Sequence, residues 1–590
     1  MRILATSDVH MHLTGWDPLH ERRVAGRGID VLARTIHRAR QSAPDAYVLL
    51  DNGDVLQGTP VAAQCASPPE DTPHPWAEIV NALAYDAVGL GNHDFDFGVP
   101  FLEGCAAHME CPVVCGSLSS GQIRGVLPST QITRTLRCSD GQHRQLRIGI
   151  ASVLPPQTAV WNSRYLHGLM AFDTGVVAAR RSVTHLREQG ADVIIMLCHS
   201  GIGVVPTDDG ENFAAQIAQE VEGIDAMVCG HTHQTFPARD GPHTLNGVPF
   251  VMPGFAAEVL GQIDLRLGWT DGVWHVAGHD ARLVTPRADD EPDPVITAIA
   301  APALERTRKA LDQILAQTDT GFHTYFGMLQ PSQSDTLVAR AMMDVLAQQV
   351  AGSDLEHLPL IAAVAPMSMG GRAGPGNFVN VPAGSMQARH IAMLSPYTNA
   401  VWGMVLKGSD LMRWAERAAG YFSPTLDDGL LLVNTDVPSF NFDMLYGLEA
   451  TIDPTRPPMY DSIGQLANPA ARRVRSLSHR AAPIDCDAAF LVAMTSYRGA
   501  GGGKFPGLDN ACDVLRTEHD LTDALHRLVR RGPMAVNDMP TAWRFAARHG
   551  MQVVIETSPN AEYHLDEIAD FAPSIIGLND AGFLEVGVTI

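Results

Sequence analysis

The sequence predicts an α/β protein made of two domains. The chain has 590 residues, of which 45% are hydrophobic and 18% charged, so it can bury more than one apolar core. In its N-terminal half, short apolar runs alternate with stretches of helical periodicity, a pattern typical of strands and helices that follow one another. An acidic, proline-containing segment at residues 286–294 then indicates an exposed connection between the domains.

The predicted strands are apolar runs that end at glycine or polar residues. In a domain placed at residues 1–290, they cover residues 2–7, 46–51, 86–90, 147–153, 192–198 and 225–229. Residues 295–317 carry Ile, Leu and Ala at helical spacing, which predicts a linker helix in the connecting segment 291–318 in spite of Pro302. A second, mixed α/β domain is predicted over residues 319–590.

Composition argues against several classes of protein. The 42 Lys and Arg residues against 65 Asp and Glu give a net charge of −23, which disfavours nucleic acid polymers and anionic membranes as partners. Nine cysteines without a CxxC pair predict neither a disulfide scaffold nor a thiolate metal cluster. No run of about 20 apolar residues is present, so we expect no membrane span, and no feature points to an obligate protein partner.

Residues with metal-binding side chains follow the ends of five predicted strands. An aspartate and a histidine at positions i and i+2 of an extended segment point to the same side, as in Asp8 and His10. Gly53 allows the backbone to turn before Asp54. Each motif alone is weak evidence for a metal site, because a single buried histidine is more often a hydrogen-bonded core residue than a ligand. The full set of candidate ligands is Asp8, His10, Asp54, Asn92, His199, His231 and His233.

The motifs DVH, GD, GNHD, H and GHTH, in this order, resemble those of the calcineurin-like dinuclear metallophosphatases. The resemblance implies a two-sheet αββα sandwich and two divalent ions, for which Zn, Mn, Fe and Co are equally suitable. It implies that one ion is held by Asp8, His10, Asp54 and His233, and the other by Asp54, Asn92, His199 and His231.

Such a site suits phosphate chemistry. Asp8 and Asp54 are its anionic ligands, so two divalent ions leave a net charge of about +2 that attracts phosphate. The ions would orient a bound hydroxide for attack on phosphorus. His93 adjoins Asn92 and is expected to stabilise the phosphate or protonate the leaving oxygen, while Asp96 orients its ring. The resemblance assigns the same pair of catalytic residues.

Three segments of the second domain have features of a substrate pocket. Residues 365–372 read APMSMGGR, where glycines allow close backbone approach and Arg372 can bind an anion. Residues 394–399 (LSPYTN) and 495–506 (TSYRGAGGGKFP) each place a tyrosine beside a proline or a glycine-rich turn. Two such rings can stack on the faces of a planar base. The last segment is no P-loop, because Phe505 stands where a P-loop has Ser or Thr.

Together these segments resemble the C-terminal domain of the 5′-nucleotidase superfamily, and most closely its branch of bifunctional 2′,3′-cyclic-nucleotide 2′-phosphodiesterase/3′-nucleotidases. The resemblance spans essentially the whole chain. It implies that Tyr397 and Tyr497 sandwich the nucleobase. It also implies that Asn399 contacts the base and that Arg372 belongs to the substrate cleft. The implied substrates are small 2′,3′-cyclic nucleotides and 3′-nucleotides.

Other interpretations stay open at this point. A 5′-nucleotidase or nucleotide-sugar hydrolase has the same architecture, and so does a thiosulfate-processing relative, which the paired tyrosines disfavour. A non-catalytic nucleotide-binding protein is a third alternative, against which the complete ligand set argues. Location is equally open. No apolar leader precedes the motif at Asp8, which favours the cytoplasm for the sequence as given, whereas relatives of this branch are mostly exported to the periplasm.

Overall fold

The structure is a computed structural model. It describes residues 1–43, 46–66, 72–206, 210–238, 241–397, 399–508, 514–532, 539, 541–546 and 550–590, without the side chain of Arg372. Within these ranges the chain forms two compact units, Met1–Lys309 and Ala310–Ile590. Both units combine helices with sheets, so the α/β prediction is confirmed. The finer division at residues 1–290, 291–318 and 319–590 stays a prediction.

Two sheets form the core of the N-terminal unit, each with seven strands in the described part of the chain. The first sheet contains, in spatial order, Val273–Val284, Leu260–Thr270, Arg2–Thr6, Tyr47–Asp51, Ala87–Gly89, Val113–Val114 and Val126–Leu127. The second contains Thr235–Phe236, Val248–Pro253, Ala226–Cys229, Val193–Cys198, His143–Val153 and Ser129–Arg137, with Thr244–Leu245 paired to Val248–Pro253. The six predicted strands are confirmed, and the largest shift is an earlier start at His143.

The alternation of buried side chains explains how the two sheets pack. On Arg2–Thr6, Ile3 and Ala5 point into a core shared with Ile195 of the second sheet, while Leu4 points to the opposite face. Successive side chains of a strand alternate between faces, so one face of each sheet packs against the other sheet and the outer face packs against helices. This is the αββα arrangement that the resemblance implied.

Helices cover the outer faces of both sheets. Those on the first sheet are Ile29–Gln41, Pro75–Ala82 and Val99–Ala107, and those on the second are Gly175–Glu188 and Ala214–Glu220. Shorter helices are Pro60–Cys65, Thr158–Trp161 and Ser163–Leu166, with a 3₁₀ helix at Asn92–Phe95. Short strand pairs are Trp16–Asp17 with Arg22–Arg23, and Leu118–Ser120 with Ala171–Phe172.

The helix after the acidic segment is shorter than predicted. It spans Pro294–Leu311 and begins after Asp293, whose Oδ1 accepts a hydrogen bond from the Val295 N–H at 2.9 Å, as an N-cap residue does. The prediction of helix up to residue 317 is wrong, because Ile314–Thr318 is a strand paired with Gly384–Gln387. Apolar residues in so short a stretch suit either state, and pairing with a distant strand decides between them.

The C-terminal unit is a mixed α/β domain, as predicted, and its described residues include three sheets of three or more strands. The largest has the order Met444–Tyr446, Leu360–Val364, Ala489–Thr495, Ala400–Lys407 and Val514–Asp520. The next has the order Ala482–Pro483, Val474–His479, Glu449–Ile452 and Trp543–Phe545, and the smallest has the order Gln552–Thr557, Leu584–Thr589 and Ser574–Leu578. In addition, Phe322–His323 pairs with Asn380–Val381.

The helices of this unit join and flank its sheets. The principal ones are Gln333–Val350, Ala388–Leu394, Gly408–Ala418 and Leu521–Arg530, with a helical turn at Ser496–Gly499. The 3₁₀ segments are Asp354–His357, Gly371–Ala373, Ala419–Tyr421, Ser439–Asn441 and Pro559–Phe571. In neither unit do the described residues include a helix that is long and apolar enough to cross a membrane.

Ile195 lies in the packing between the two sheets and is fully buried. Ile195→Ala should lower the free energy of unfolding by about 2–5 kcal/mol, because it removes apolar contacts and leaves a cavity. Urea denaturation of the full chain measures the loss. Val177→Ala, at a 50% exposed position on a surface helix, is the control and should change the free energy of unfolding by less than about 0.5 kcal/mol. Equal losses in both variants would contradict this packing.

Candidate functional site

The candidate metal ligands lie where parallel strands of the two sheets end. Arg2–Thr6, Tyr47–Asp51 and Ala87–Gly89 run parallel in the first sheet, and Val193–Cys198 and Ala226–Cys229 run parallel in the second. The carboxyl ends of parallel strands meet at one edge of a sheet, where α/β proteins place binding residues. The loops that follow these five strands carry all seven candidate ligands.

Asp8, His10 and His233 form one cluster, in which one ligand atom of each residue lies within 4.8 Å of the others. Nε2 of His10 lies 2.9 Å from Nε2 of His233, and Nε2 of His233 lies 3.6 Å from Oδ1 of Asp8. Asp8 and His10 are buried, whereas the His233 side chain is 40% exposed. Solvent therefore reaches this cluster at His233.

Asp54, His199 and His231 form a second cluster with the same spacing. Oδ2 of Asp54 lies 3.0 Å from Nε2 of His199. Asn92 belongs to this cluster too, because its Oδ1 lies 2.8 Å from Nδ1 of His231. Oδ2 of Asp54 is also 3.9 Å from Nε2 of His10 in the first cluster. Asp54 thus lies between the two clusters.

The hydrogen bonds of two histidines direct Nε2 of each ring toward these clusters. Nδ1 of His10 donates to Gln57 O at 2.8 Å, and Nδ1 of His199 donates to Asn52 O at 2.9 Å. A carbonyl oxygen only accepts, so in each neutral ring Nδ1 carries the proton and Nε2 presents a lone pair. Oδ2 of Asp54 and Nε2 of His199 are buried and 3.0 Å apart, and neither atom forms a hydrogen bond with any other described residue. Such nitrogen and carboxylate donors fit divalent transition-metal ions.

The electrostatics of the site favour a cation. Burial disfavours a charged His199, but Asp54 and Asp8 outweigh burial and raise the pKa of His199 to about 10; without an ion the ring therefore also carries a proton on Nε2, which a bound ion would replace. Burial raises the pKa of Asp8 to about 6, against the opposing effect of His199. Both carboxylates are buried and lie near Nε2 of His199, at 3.9 Å for Asp8 and 3.0 Å for Asp54, so they require positive charge nearby, which divalent ions would supply.

Five of the seven candidate ligands have left-handed backbone conformations. The angle φ is 53° at Asp8, 47° at His10, 57° at Asp54, 71° at His231 and 58° at His233. Residues other than glycine seldom adopt a positive φ, and such strain persists only where the surrounding structure imposes it. The tight turns direct side chains from successive loops toward the same small volume.

Asp94 fixes two of the turns at this site. Its carboxylate accepts hydrogen bonds from the backbone N–H groups of Gly91 at 2.8 Å, Asp54 at 2.9 Å, Val55 at 2.9 Å and Leu56 at 3.0 Å. The side chain is buried. It therefore joins the turn of the GNHD motif to the turn that presents Asp54, and it has a positional role.

His93 and Asp96 contact each other as expected, with 2.9 Å between Nδ1 of His93 and Oδ2 of Asp96. The His93 backbone N–H donates to Oδ1 of Asp54 at 2.7 Å, which places His93 beside the second cluster. Burial disfavours protonation, but Asp96 and Asp54 outweigh it and raise the pKa of His93 to about 9. A protonated imidazole can donate to a phosphate ester. The catalytic roles of His93 and Asp96 stay predictions.

Three further residues, which lie outside the sequence motifs, hold the ligand rings. Oε1 of Glu211 accepts a hydrogen bond from Nε2 of His231 at 2.9 Å, which leaves Nδ1 of that ring for a metal ion. Trp161 stacks on His231 with 5.6 Å between ring centroids, and Phe255 stacks on His233 with 5.0 Å. These residues belong to none of the metal motifs, so no local pattern marks them.

In the C-terminal unit, Tyr397, Asn399 and Tyr497 line one pocket. The two tyrosines are 46% and 37% exposed, so their rings are accessible for stacking. Asn399 is nearly buried, and its Oδ1 accepts hydrogen bonds from the Tyr497 N–H and the Ser496 hydroxyl, both at 3.3 Å. The structure thus brings three of the predicted pocket residues together, with Asn399 fixing the backbone at Tyr497.

Arg498 is an arginine that the structure places at this pocket. It is buried, and it donates to Oδ1 of Asp443 at 2.9 Å and to Phe440 O at 2.6 Å. These contacts tie the glycine-rich loop at residues 495–506 to the chain near residue 440. Arg372 lies in a short 3₁₀ turn, and its side chain is outside the described residues. The substrate-binding role of Arg372 stays a prediction.

Comparisons with known proteins agree with this geometry. Residues 1–235 match the family model for calcineurin-like phosphoesterases, and residues 315–510 match the model for the C-terminal domain of 5′-nucleotidases. A crystal structure of the calcineurin-like phosphoesterase YfkN from Bacillus subtilis is 30% identical, with a TM-score of 0.50, and the match covers 98% of that chain and 52% of this one. The chain belongs to the calcineurin-like phosphoesterases.

Relatives extend the similarity over both units of this phosphoesterase. It is 28% identical over 99% of its length to the 2′,3′-cyclic-nucleotide 2′-phosphodiesterase/3′-nucleotidase of Salmonella typhimurium, of which it covers 95%. It is 30% identical over 97% of its length to the trifunctional nucleotide phosphoesterase protein YfkN of Bacillus subtilis, but it spans only 40% of that protein. The fold is shared with a 5′-nucleotidase precursor from Thermus thermophilus, at 18% identity and a TM-score of 0.59 over 93% of this chain and 99% of that one. The family indicated by the sequence motifs is confirmed.

Glu211 should act on metal binding through the ring of His231. Glu211→Ala removes the acceptor of the Nε2 proton and frees the ring to rotate, so the affinity for a divalent ion at the second cluster should fall about 10–100-fold. Competition with a chromophoric chelator measures the affinity. Glu211→Gln keeps an acceptor and should retain most of the wild-type affinity for the ion. Equal affinities in the wild type and Glu211→Ala would contradict this role.

Proposed function

We propose that this phosphoesterase opens 2′,3′-cyclic nucleotides to 3′-nucleotides and then removes the 3′-phosphate to release nucleosides. The observation that carries the proposal is the pair of adjacent ligand clusters around Asp54. The Salmonella relative described above, which matches nearly the whole chain, carries this activity in its name. Both steps break a P–O bond of a phosphate ester, so one site can serve both once the substrate shifts between them.

Each cluster is assigned one divalent ion, in keeping with the family. Zn, Mn, Fe and Co all suit imidazole and carboxylate donors. When bound, two such ions supply charge that holds phosphate oxygens and an activated water that attacks phosphorus in line. The backbone hydrogen bonds at Nδ1 of His10 and His199, which direct Nε2 of each ring toward the clusters, support the assignment. The ligands of the first ion would be Asp8, His10, Asp54 and His233, and those of the second Asp54, Asn92, His199 and His231.

His93 and Asp96 are assigned the transfer of a proton to the leaving group. A protonated His93 donates from Nδ1 to Asp96, a contact of 2.9 Å, and keeps Nε2–H for a phosphate oxygen or the leaving ribose oxygen. A ribose alkoxide is a poor leaving group, so a proton donor at this point lowers the barrier. Asp96 holds the ring in the orientation that this transfer requires.

The pocket of the C-terminal unit is assigned to the nucleobase. Tyr397 and Tyr497 offer exposed rings for stacking, and stacking accepts any base, so we expect broad base specificity. Asn399 would contact the base, and Arg372 would bind an anionic part of the substrate. The net charge of −23 disfavours nucleic acid polymers, so the substrates are small nucleotides.

A substrate panel tests the proposal. The enzyme should hydrolyse 2′,3′-cAMP and 3′-AMP in the presence of a divalent metal ion, and a chelator should stop both reactions. Faster hydrolysis of 5′-AMP or UDP-glucose would instead assign a 5′-nucleotidase or a nucleotide-sugar hydrolase. Nucleotide binding without metal-dependent turnover would instead assign a non-catalytic nucleotide-binding protein.

Asp54→Asn should abolish both reactions of this panel and lower the metal content of both clusters, because the lost carboxylate lies between them. Product release and metal content per chain measure the two effects. Asp271→Asn is the matched control, because Asp271 is exposed and has nearly the same φ, 52° against 57° at Asp54. Full activity of Asp54→Asn would exclude a bridging role.

Tyr397→Ala should raise the KM for 3′-AMP about 5- to 150-fold, because stacking of one base on an aromatic ring is worth about 1–3 kcal/mol. It should spare a small bis-aryl phosphodiester, which has no nucleobase. Steady-state kinetics on both substrates measure the difference. Tyr563→Ala, at a tyrosine that is 76% exposed in the same unit, is the control. Equal losses on both substrates would remove Tyr397 from the base site.

A further inference from the structure

A third cluster of metal-binding side chains lies in the C-terminal unit and uses none of the residues of the two sites above. Oε1 of Glu567 is 3.1 Å from Nε2 of His323 and 2.9 Å from Nδ1 of His564. All three ligand atoms lie within 4.8 Å of one another. Bonds of about 2 Å to a tetrahedral ion separate its ligand atoms by roughly 3.3 Å. The cluster therefore needs little rearrangement to accept an ion.

Local structure holds these side chains together. His564 and Glu567 are three residues apart in the 3₁₀ helix Pro559–Phe571, and positions i and i+3 of a 3₁₀ helix lie on the same face. His323 comes from a paired strand and stacks on Tyr325 with 4.4 Å between ring centroids. The His323 side chain is 7% exposed, against 34% for His564 and 47% for Glu567. An ion can therefore reach the cluster from solvent.

The charge around the cluster suits a cation. The 3₁₀ helix carries four acidic residues and no Lys or Arg, and this negative field attracts positive ions. Oε1 of Glu567 accepts hydrogen bonds from both imidazoles, so the carboxylate already faces the two ring nitrogens that would bind the ion.

From this geometry we propose that His323, His564 and Glu567 bind one divalent transition-metal ion, with water in the remaining position. Two imidazoles and a carboxylate suit Zn²⁺, Co²⁺ or Ni²⁺, whereas Ca²⁺ and Mg²⁺ prefer oxygen ligands. Ligation moves the ring proton of His323 from Nε2 to Nδ1, which gives up a contact of 3.3 Å from the Tyr325 N–H. The ring proton of His564 moves from Nδ1 to Nε2. In the bound state each ring carries its proton on the nitrogen that does not bind the ion.

The ion would join two segments that are far apart in sequence. His323 lies near the start of the C-terminal unit, and Glu567 follows 244 residues later. An ion that binds the folded chain and not the unfolded one stabilises the fold by mass action. Its role is to fix the 3₁₀ helix against the strand that carries His323. This inference does not rest on the proposed hydrolysis, in which these three residues take no part.

The metal content of the full chain tests the third site. After equilibration with Zn²⁺ and gel filtration, the wild-type chain should retain one more ion than His564→Ala and one more than Glu567→Gln. Zn²⁺ should also raise the Tm of the wild-type chain more than the Tm of either variant. Both substituted residues are partly exposed, so both variants should fold.

His519→Gln, at an exposed histidine of the same unit, is the matched control and should keep the wild-type ion count. The difference of one ion between the wild type and the two site variants is expected whether or not the candidate catalytic clusters bind metal. The turnover of a bis-aryl phosphodiester should be the same in the wild type and in these variants. Equal ion counts in the wild type and both variants would overturn the third site. The third site would also be overturned if His519→Gln lost one ion per chain, as the two site variants are expected to.

Discussion

The candidate metal centre depends on the hydrogen bonds that Asp94 accepts. One buried carboxylate receives four backbone N–H groups from two separate turns. Asp54 stands in one of these turns with a left-handed backbone, a conformation that an aspartate seldom adopts on its own. Charge-assisted hydrogen bonds to a buried carboxylate are strong enough to offset such strain. The protein therefore sets the ligand positions before any ion binds.

The pocket of the C-terminal unit is built on the same principle, with the charge reversed. Arg498 is buried and donates to Phe440 O, to Asp443 and to Gly502 O, so one guanidinium fixes the loop that carries Tyr497. Gly502 packs so closely against that ring that a Cβ there would lie 2.5 Å from it, so a larger residue at this position would displace the ring. In each unit a buried charge holds backbone groups, and the functional side chain next to it is left accessible.

The sequence allowed the strands and the seven candidate ligands to be predicted because both are local features. An apolar run ends, and a carboxylate or imidazole follows within a few residues, as Asp8 follows the first strand. Glu211 and Trp161 could not be predicted, because their contacts with His231 arise from loops that folding brings together. The end of the linker helix at Leu311 was missed for a similar reason, since the competing strand pairs with residues about seventy positions later.

The two clusters each take ligands from both sheets of the sandwich. Asp8 and His10 follow a strand of the first sheet, and His233 follows a strand of the second. In the second cluster, Asp54 follows a strand of the first sheet and His199 follows a strand of the second. Elsewhere the two sheets are held together mainly by apolar packing, which is non-directional, with a few hydrogen bonds such as that from Trp274 Nε1 to Gln145 O. An ion at either cluster would add a directional link at one edge and fix the register of one sheet on the other. The same side chains would then bind the ions for phosphate chemistry and hold the two sheets together.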